Sequence, residues 1–250
     1  MTDPQPPLSR RAPEVRTIGI AGMLVSFGDR LSEPANRAAL AFRAAVEAEG
    51  WDGVEETSSS LVSAFVRFDP LHLSHARLRQ QLEALLRRED WYAADLPTGR
   101  RFWRIPTVFG TDLAPQLGQA AQAAGLSEAE AITSLTQARV RVQTIGFAAG
   151  QPYLGELPKA WDIPRQTTLT KRIPVGALAV AIRQLVLFSV ATPTGWQHVG
   201  QTAIRLFQPE VPDPFLLRPG DEVQFVSTDA EALATMRNDP HGGAKCEAIT

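Results

Sequence analysis

The sequence predicts an α+β protein in two parts, a small ferredoxin-like α/β domain followed by an all-β barrel or sandwich. Two observations carry this. Strand and helix patterns alternate as β-α-β-β-α-β between residues 17 and 109, the order of a split βαβ unit. From residue 139 the pattern changes to short apolar runs separated by Pro and Gly, the spacing of a barrel or sandwich.

Each element has a local reason. Residues 17–27 are apolar and β-branched and end at Gly28-Asp29, which reads as a strand and turn. Ser32 with Pro34 opens a helix that Gly50 closes. Residues 54–57 and 61–68 read as two strands joined by three serines. Ser74 is a candidate N-cap for a second helix, in which Leu78, Leu82, Leu85 and Leu86 form one apolar stripe. Residues 102–109 are a further strand. Leu113, Leu117, Ala120, Ala121 and Ala124 make a helical face that Gly125 ends, and Ser127 with Glu130 has capping-box spacing for another helix. Expected strands of the second part are 139–147, 177–182, 185–190, 203–207 and 222–227. Residues 1–16 are polar and Pro-rich, a disordered lead-in without the apolar core of a signal peptide. Residues 229–250 read as an irregular tail apart from a short helix at 229–236.

Composition sets broad limits. At 250 residues the chain can bury a real core, and a net charge of −2 offers nothing for nucleic acid or an anionic membrane. The acidic start of the helix after Ser127 is wrong for meeting phosphates, so no DNA-reading helix pair is expected. The run 175–190 is too short to span a bilayer and is interrupted by Arg183 and Gln184. One cysteine, Cys246, permits no internal disulfide, and a cytoplasmic location is expected. Neither a Walker A nor a Rossmann glycine fingerprint is present. No His, Cys, Asp or Glu set has metal-ligand spacing, so no metal is expected.

The densest signal is Gly146-Phe-Ala-Ala-Gly150-Gln-Pro-Tyr153-Leu-Gly155. It is followed by Ile163-Pro-Arg165, Arg172-Ile-Pro-Val-Gly176, Gly195-Trp-Gln197 and Arg218-Pro-Gly-Asp-Glu-Val-Gln-Phe225. In this order the pieces resemble the C-terminal half of the 5-oxoprolinase B-subunit family. That family also contains the sporulation kinase inhibitor KipI and proteins labelled allophanate hydrolase subunit 1. The resemblance covers 17–228 and implies a cyclophilin-like β-barrel, here 101–228, after an N-terminal α/β domain, here 17–100. The same arrangement is found in the carboxyltransferase part of urea carboxylase. It also implies a hetero-oligomer with a partner resembling the 5-oxoprolinase C subunit, ATP as co-substrate of the complex, and ring opening of 5-oxoproline to glutamate. A non-catalytic KipI-like inhibitor of a histidine kinase is the alternative.

Candidate ligand-binding residues are Gly150, Tyr153, Arg165, Arg172 and Gln184. Gly150 exposes a backbone N–H or merely shapes a turn. Either arginine suits a carboxylate or phosphate, or is a surface residue pinned by its proline. The Tyr153 hydroxyl can donate to a ligand, and a glutamine such as Gln184 can pair an amide with both donor and acceptor. His198 is the one histidine in the motif region and the candidate acid/base. Departures from the family pattern gather here. Ala149, Gln151 and Glu156 stand for Pro, Phe and Gly, Ile182-Arg183 for Gly-Gly, Leu135 for His, and Gln201 for Arg. They suggest altered specificity or a scaffold that no longer catalyses.

Overall fold

The structure, a computed structural model, describes residues 12–249. It divides into two compact units, one ending at Pro97 and the other starting at Thr98.

The first unit contains strands β1 (Glu14–Ile18) and β2 (Gly22–Ser26), helix α1 (Glu33–Glu49), strands β3 (Val54–Ser60) and β4 (Ser63–Phe68), and helix α2 (His75–Leu86). All pairings are antiparallel, in the order β1-β2-β4-β3. This is a ferredoxin-like strand order with one substitution. The expected strand at 102–109 belongs to the second unit, and β1 takes the vacant edge beside β2. The run read as one strand at 17–27 is a hairpin bent at Gly19, whose φ is +62°. Of the expected lead-in at 1–16, residues 14–16 are part of β1, and residues 1–11 lie outside the described ones.

Both helices start where the sequence places their caps. The Ser32 hydroxyl accepts from Ala35 N, and Gly50 ends α1 in the left-handed region. The Ser74 hydroxyl accepts from Arg77 N. Ala35, Ala38, Phe42 and Val46 from α1 and Leu78, Leu82 and Leu85 from α2 then meet Met23, Val25, Val66 and Phe68 of the sheet in one core. Small alanines let α1 lie close to the strands, and the leucine stripe fills the rest.

The second unit opens with β5 (Arg101–Phe109), α3 (Leu117–Ala123), α4 (Glu128–Gln137), β6 (Val140–Ile145) and β7 (Pro152–Gly155). It continues with β8 (Thr170–Ile173), β9 (Ala177–Ala181), β10 (Gln184–Leu187), β11 (Thr192–Thr194), β12 (Gln197–Gln201), β13 (Glu222–Ser227), α5 (Ala230–Met236) and β14 (Lys245–Ala248). Strands run β12-β9-β10-β7-β6-β13-β5, and β12 pairs back onto β5, closing a seven-stranded barrel. Its interior is filled by alternate residues of every strand, among them Ile105, Val142, Leu154, Val180, Leu185, Val199 and Phe225. Leu117, Ala121, Ala131 and Leu135 of α3 and α4 join that core, with the Ser127–Glu130 capping box formed at the start of α4.

Two strand expectations are corrected. Residues 203–207 are not a strand; the strand is β12, Gln197–Gln201, whose polar sequence hid it. Ile204 and Leu206 are apolar because they plug the core from an irregular segment. The tail is not irregular throughout, since Lys245–Ala248 pair antiparallel with Arg101–Arg104. β5 therefore shares one edge between two partners, β14 at its start and β12 at Val108–Phe109.

Candidate functional site

Side chains alternate across a strand, so the barrel strands carry a second, outward face. On it lie two cross-strand rows. Tyr153, Val186, Ala179 and His198 are successive partners from β7 to β12, and Gly155, Gln184 and Ala181 form the next row. Ala177, Ala179, Ala181 and Val186 make a flat apolar floor that is covered by Ile173, Phe188 and Trp196. Ile173 belongs to the separate two-stranded ribbon β8–β11, Trp196 to the residue pair that follows it, and Phe188 continues β10.

Two of the expected residues meet on Trp196, and a third lies on the adjoining row. The Tyr153 ring packs edge-on against Trp196 at 6.1 Å, and the Arg165 guanidinium lies 5.0 Å above the same indole. Gln184 is on the adjoining row, and its Nε2 donates to Gln143 Oε1 at 2.8 Å. A Cβ on Gly155 would lie 2.8 Å from that same Oε1, so the glycine makes room for the Gln143 amide.

The segment around Arg165 is held by amides that the sequence did not single out. Gln166 N donates to Gly195 O at 2.7 Å, and Gln166 Nε2 donates to Trp196 O at 2.8 Å. Gln116 Nε2 donates to Gln166 Oε1 at 2.9 Å, while Gln116 Oε1 accepts from His198 N at 2.7 Å. These bonds fix the backbone beside Arg165, whose exposed guanidinium rests on the indole. Gln116 and Gln166 lie in irregular segments with no periodicity to mark them, and only the folded chain brings them to β12.

The remaining expected residues sit elsewhere or differently. Gly150 has φ +71°, and a Cβ there would lie 2.7 Å from Leu206 O, so its Cα side is closed by this chain's own backbone. Arg172 is exposed on β8, next to the buried Ile173 that anchors the ribbon. His198 is on the outward face but only 5% exposed, and its Nε2 has no hydrogen-bond partner among the described residues. Burial pushes its pKa below the ordinary value, against smaller opposing contributions from the Gly200 backbone and Gln201. A neutral imidazole results.

The departures from the family pattern take structural roles. Leu135 fills the core, and Gln201 Nε2 bonds Val175 O and Thr202 O, each at 2.9 Å. Ile182 and Arg183 form the β9–β10 turn, both at positive φ. Arg183 Nε donates to Leu157 O and its guanidinium pairs with Glu156 at 3.1 Å. A groove of about 520 Å³ opens between α4 and Glu156-Pro158, but its polar groups are spent. Glu130 serves the capping box, Ser134 accepts from Trp161 Nε1, and Arg139 pairs with Glu222. Among the described residues no three His, Cys, Asp or Glu are placed to hold a metal, and no helix is long and apolar enough to cross a membrane.

Known proteins match this architecture. The family model of the carboxyltransferase domain, subdomain C and D, covers residues 13–217. The 5-oxoprolinase B subunit of Bacillus subtilis is 31% identical over 221 residues, spanning 85% of this chain and 92% of that protein. Its counterpart from Escherichia coli O157:H7 is 37% identical over 147 residues, 58% of this chain and 67% of its own. Among solved structures, TTHA0988 superposes with a TM-score of 0.69 at 30% identity over 87% of this chain, which spans only 40% of TTHA0988. Urea carboxylase of Kluyveromyces lactis shares the fold at a TM-score of 0.71, with 18% identity, 97% of this chain and 25% of the enzyme. With the barrel, the matched span and these relatives in agreement, the chain belongs to the carboxyltransferase subdomain C and D family that includes the 5-oxoprolinase B subunits.

Proposed function

We propose that this chain is one component of a 5-oxoprolinase-like complex that opens a small cyclic amide to an amino acid. In the reaction water adds across the ring C–N bond, and the complex couples the step to ATP hydrolysis. The observation that carries the reading is the outward barrel face, where the Tyr153 phenol and the Arg165 guanidinium meet on Trp196 and the Gln143–Gln184 amide pair lies on the adjoining row. Arg165 suits the carboxylate of 5-oxoproline, because a guanidinium over an indole keeps its outer N–H groups free for a fork. Gln184 and Tyr153 suit the lactam amide, as donors and acceptors of fixed direction.

His198 is buried with a lowered pKa and so is poorly placed as an acid/base, which leaves proton transfer and oxyanion stabilisation to other groups of the complex. A partner chain resembling the 5-oxoprolinase C subunit supplies that half of the site in this reading. The short span on TTHA0988 and on urea carboxylase is consistent with it, since there the domain is one part of a longer chain. ATP is assigned to the complex as co-substrate, in a cytoplasmic setting.

Co-expression with an adjacent C-subunit-like chain, followed by an assay of 5-oxoproline-dependent ATP hydrolysis, tests the proposal. Turnover is expected only with both chains present. Arg165→Ala should raise KM about tenfold or more through loss of a charge-assisted pair. A stable complex with flat kinetics overturns it.

One feature favours a second reading, a KipI-like binding protein that inhibits a histidine kinase. Gln143 and Gln184 spend amide groups on each other, and Gly150 is closed by Leu206. Lowered autophosphorylation of a co-purified kinase, with no 5-oxoproline turnover, would select it.

A further inference from the structure

We infer that the β8–β11 ribbon with its flanking loops is the docking face for an acidic surface of the partner chain. The inference rests on the two-chain reading above and adds where the partner binds and what chemistry it presents.

Three properties set this ribbon apart. First, its cations are grouped without a carboxylate among them. Elsewhere in the second unit Arg101, Arg104, Arg183 and Arg205 pair with Asp221, Glu247, Glu156 and Glu210. Arg165, Lys171 and Arg172 have no carboxylate partner among the described residues, which is also true of Lys159, Arg237 and Lys245, but these three lie within eight positions of one another, with Arg165 over the Trp196 indole. Adjacent like charges repel, so an isolated fold gains nothing from this grouping. An incoming row of carboxylates would.

Second, the cations are interleaved with exposed aliphatic groups. Leu169 is 59% exposed, Val175 49% and Val190 40%. These positions border the ribbon at both ends. Leu169 Cδ2 and Arg165 Cβ lie 3.5 and 3.7 Å from where a Gly195 Cβ would stand, next to the Thr170–Thr194 pair. Val175 and Val190 follow the Ile173–Thr192 pair at the other end. Aliphatic contact ringed by arginine and lysine is the make-up of a protein interface, and no exposed aromatic is present on the ribbon for base stacking.

Third, the ribbon is rigid before anything binds. Ile173 and Trp196 root it in the buried outer cluster. Gln116 Nε2 and Gln166 Nε2 both donate to Thr170 Oγ1, at 3.1 and 3.4 Å. Its two strands pair only with each other among the described residues, which leaves backbone groups on both outer edges. A preformed surface lowers the ordering cost of association. Because Arg165 belongs both to the ribbon and to the candidate ligand face, docking here would set the partner against the substrate.

The test is the K171E/R172E variant, which leaves Arg165 and Trp196 untouched, titrated with the co-expressed C-subunit-like chain by biolayer interferometry. Unchanged thermal melting serves as the folding control. Binding of the wild type should weaken with added salt, and the variant should bind about tenfold more weakly, mostly through a slower association rate. L169D/V175D should lower affinity through faster dissociation. If the wild type forms the complex and both variants bind equally well, the docking face is elsewhere while the two-chain reading stands. If the wild type binds no such chain, both fall. Loss of self-association in place of loss of the two-chain complex also overturns the assignment, in favour of a second copy as occupant.

Discussion

Ile182 and Arg183 carry a sharp local conflict. Both have positive φ, +45° and +60°, in a two-residue hairpin turn that favours Asn and Gly. A β-branched residue is a genuine outlier there, because its Cβ crowds the following carbonyl. The turn persists because the 157–163 segment grips it. Leu157 N donates to Arg183 O, Arg183 N to Trp161 O, and Ile182 N to Ile163 O at 2.7 Å. The family's Gly-Gly at these positions therefore reads as turn chemistry, not as space for a ligand. Ile182→Gly should stabilise the protein by about 1 kcal/mol, since glycine adopts this φ without strain. A thermal melt against the wild type checks it, and a loss of stability would mean that Ile182 contributes more by packing than it costs in backbone strain.

Elements were legible where local chemistry and burial agree. The Ser32, Ser74 and Ser127 caps and the Leu78–Leu85 stripe announce their helices because the same residues do the capping and the packing. β9 and β10 announce themselves through unbroken apolar runs buried on both faces. β12 did not, because Gln197, His198 and Gln201 are polar groups buried by tertiary contacts that no pattern reveals. The same limit applies to the candidate site. Tyr153, Arg165 and Gln184 were visible as residue types between glycines and prolines, whereas Gln116, Gln143 and Gln166 gain their roles only from the closed barrel. The junction of β5 and β13 is another such case. Asp221, with its side chain 3% exposed, accepts from Arg101 N at 3.1 Å, from Arg218 N at 3.0 Å and from the Arg101 guanidinium. Asp221→Ala should cost about 3 kcal/mol in urea denaturation, because it strips a partly buried cation and two backbone donors of their acceptor. A cost below ~1 kcal/mol would show that water replaces the carboxylate there.

At the scale of the molecule, proton binding links this barrel to its stability. An unfolded chain presents His198 at its ordinary pKa of 6.5, whereas burial lowers it in the folded state. The stabilisation from the neutral imidazole is therefore complete above that value and fades as pH falls through the folded one. One proton gives a slope of at most about 1.4 kcal/mol per pH unit. His72 has the opposite sign, since Asp69 raises its pKa, so the wild type alone cannot isolate the effect. Melting temperatures of wild type and His198→Gln between about pH 7.5 and 4.5, roughly one unit above and two below the free imidazole, should diverge on acidification. The wild type should fall more steeply, and parallel curves would refute the buried neutral assignment.

The double use of one edge of β5 has a consequence for biosynthesis. Residues 101–104 find their partner at 245–248, and residues 102–107 find theirs at 222–227, more than a hundred positions downstream in each case. As the chain emerges from the ribosome, the first unit already holds every strand of its sheet, but the seam of the second stays unstitched until residues 222–248 are made. During that interval β5 trails a naked hydrogen-bonding edge, and the nascent barrel depends on whatever shelters it in the cell.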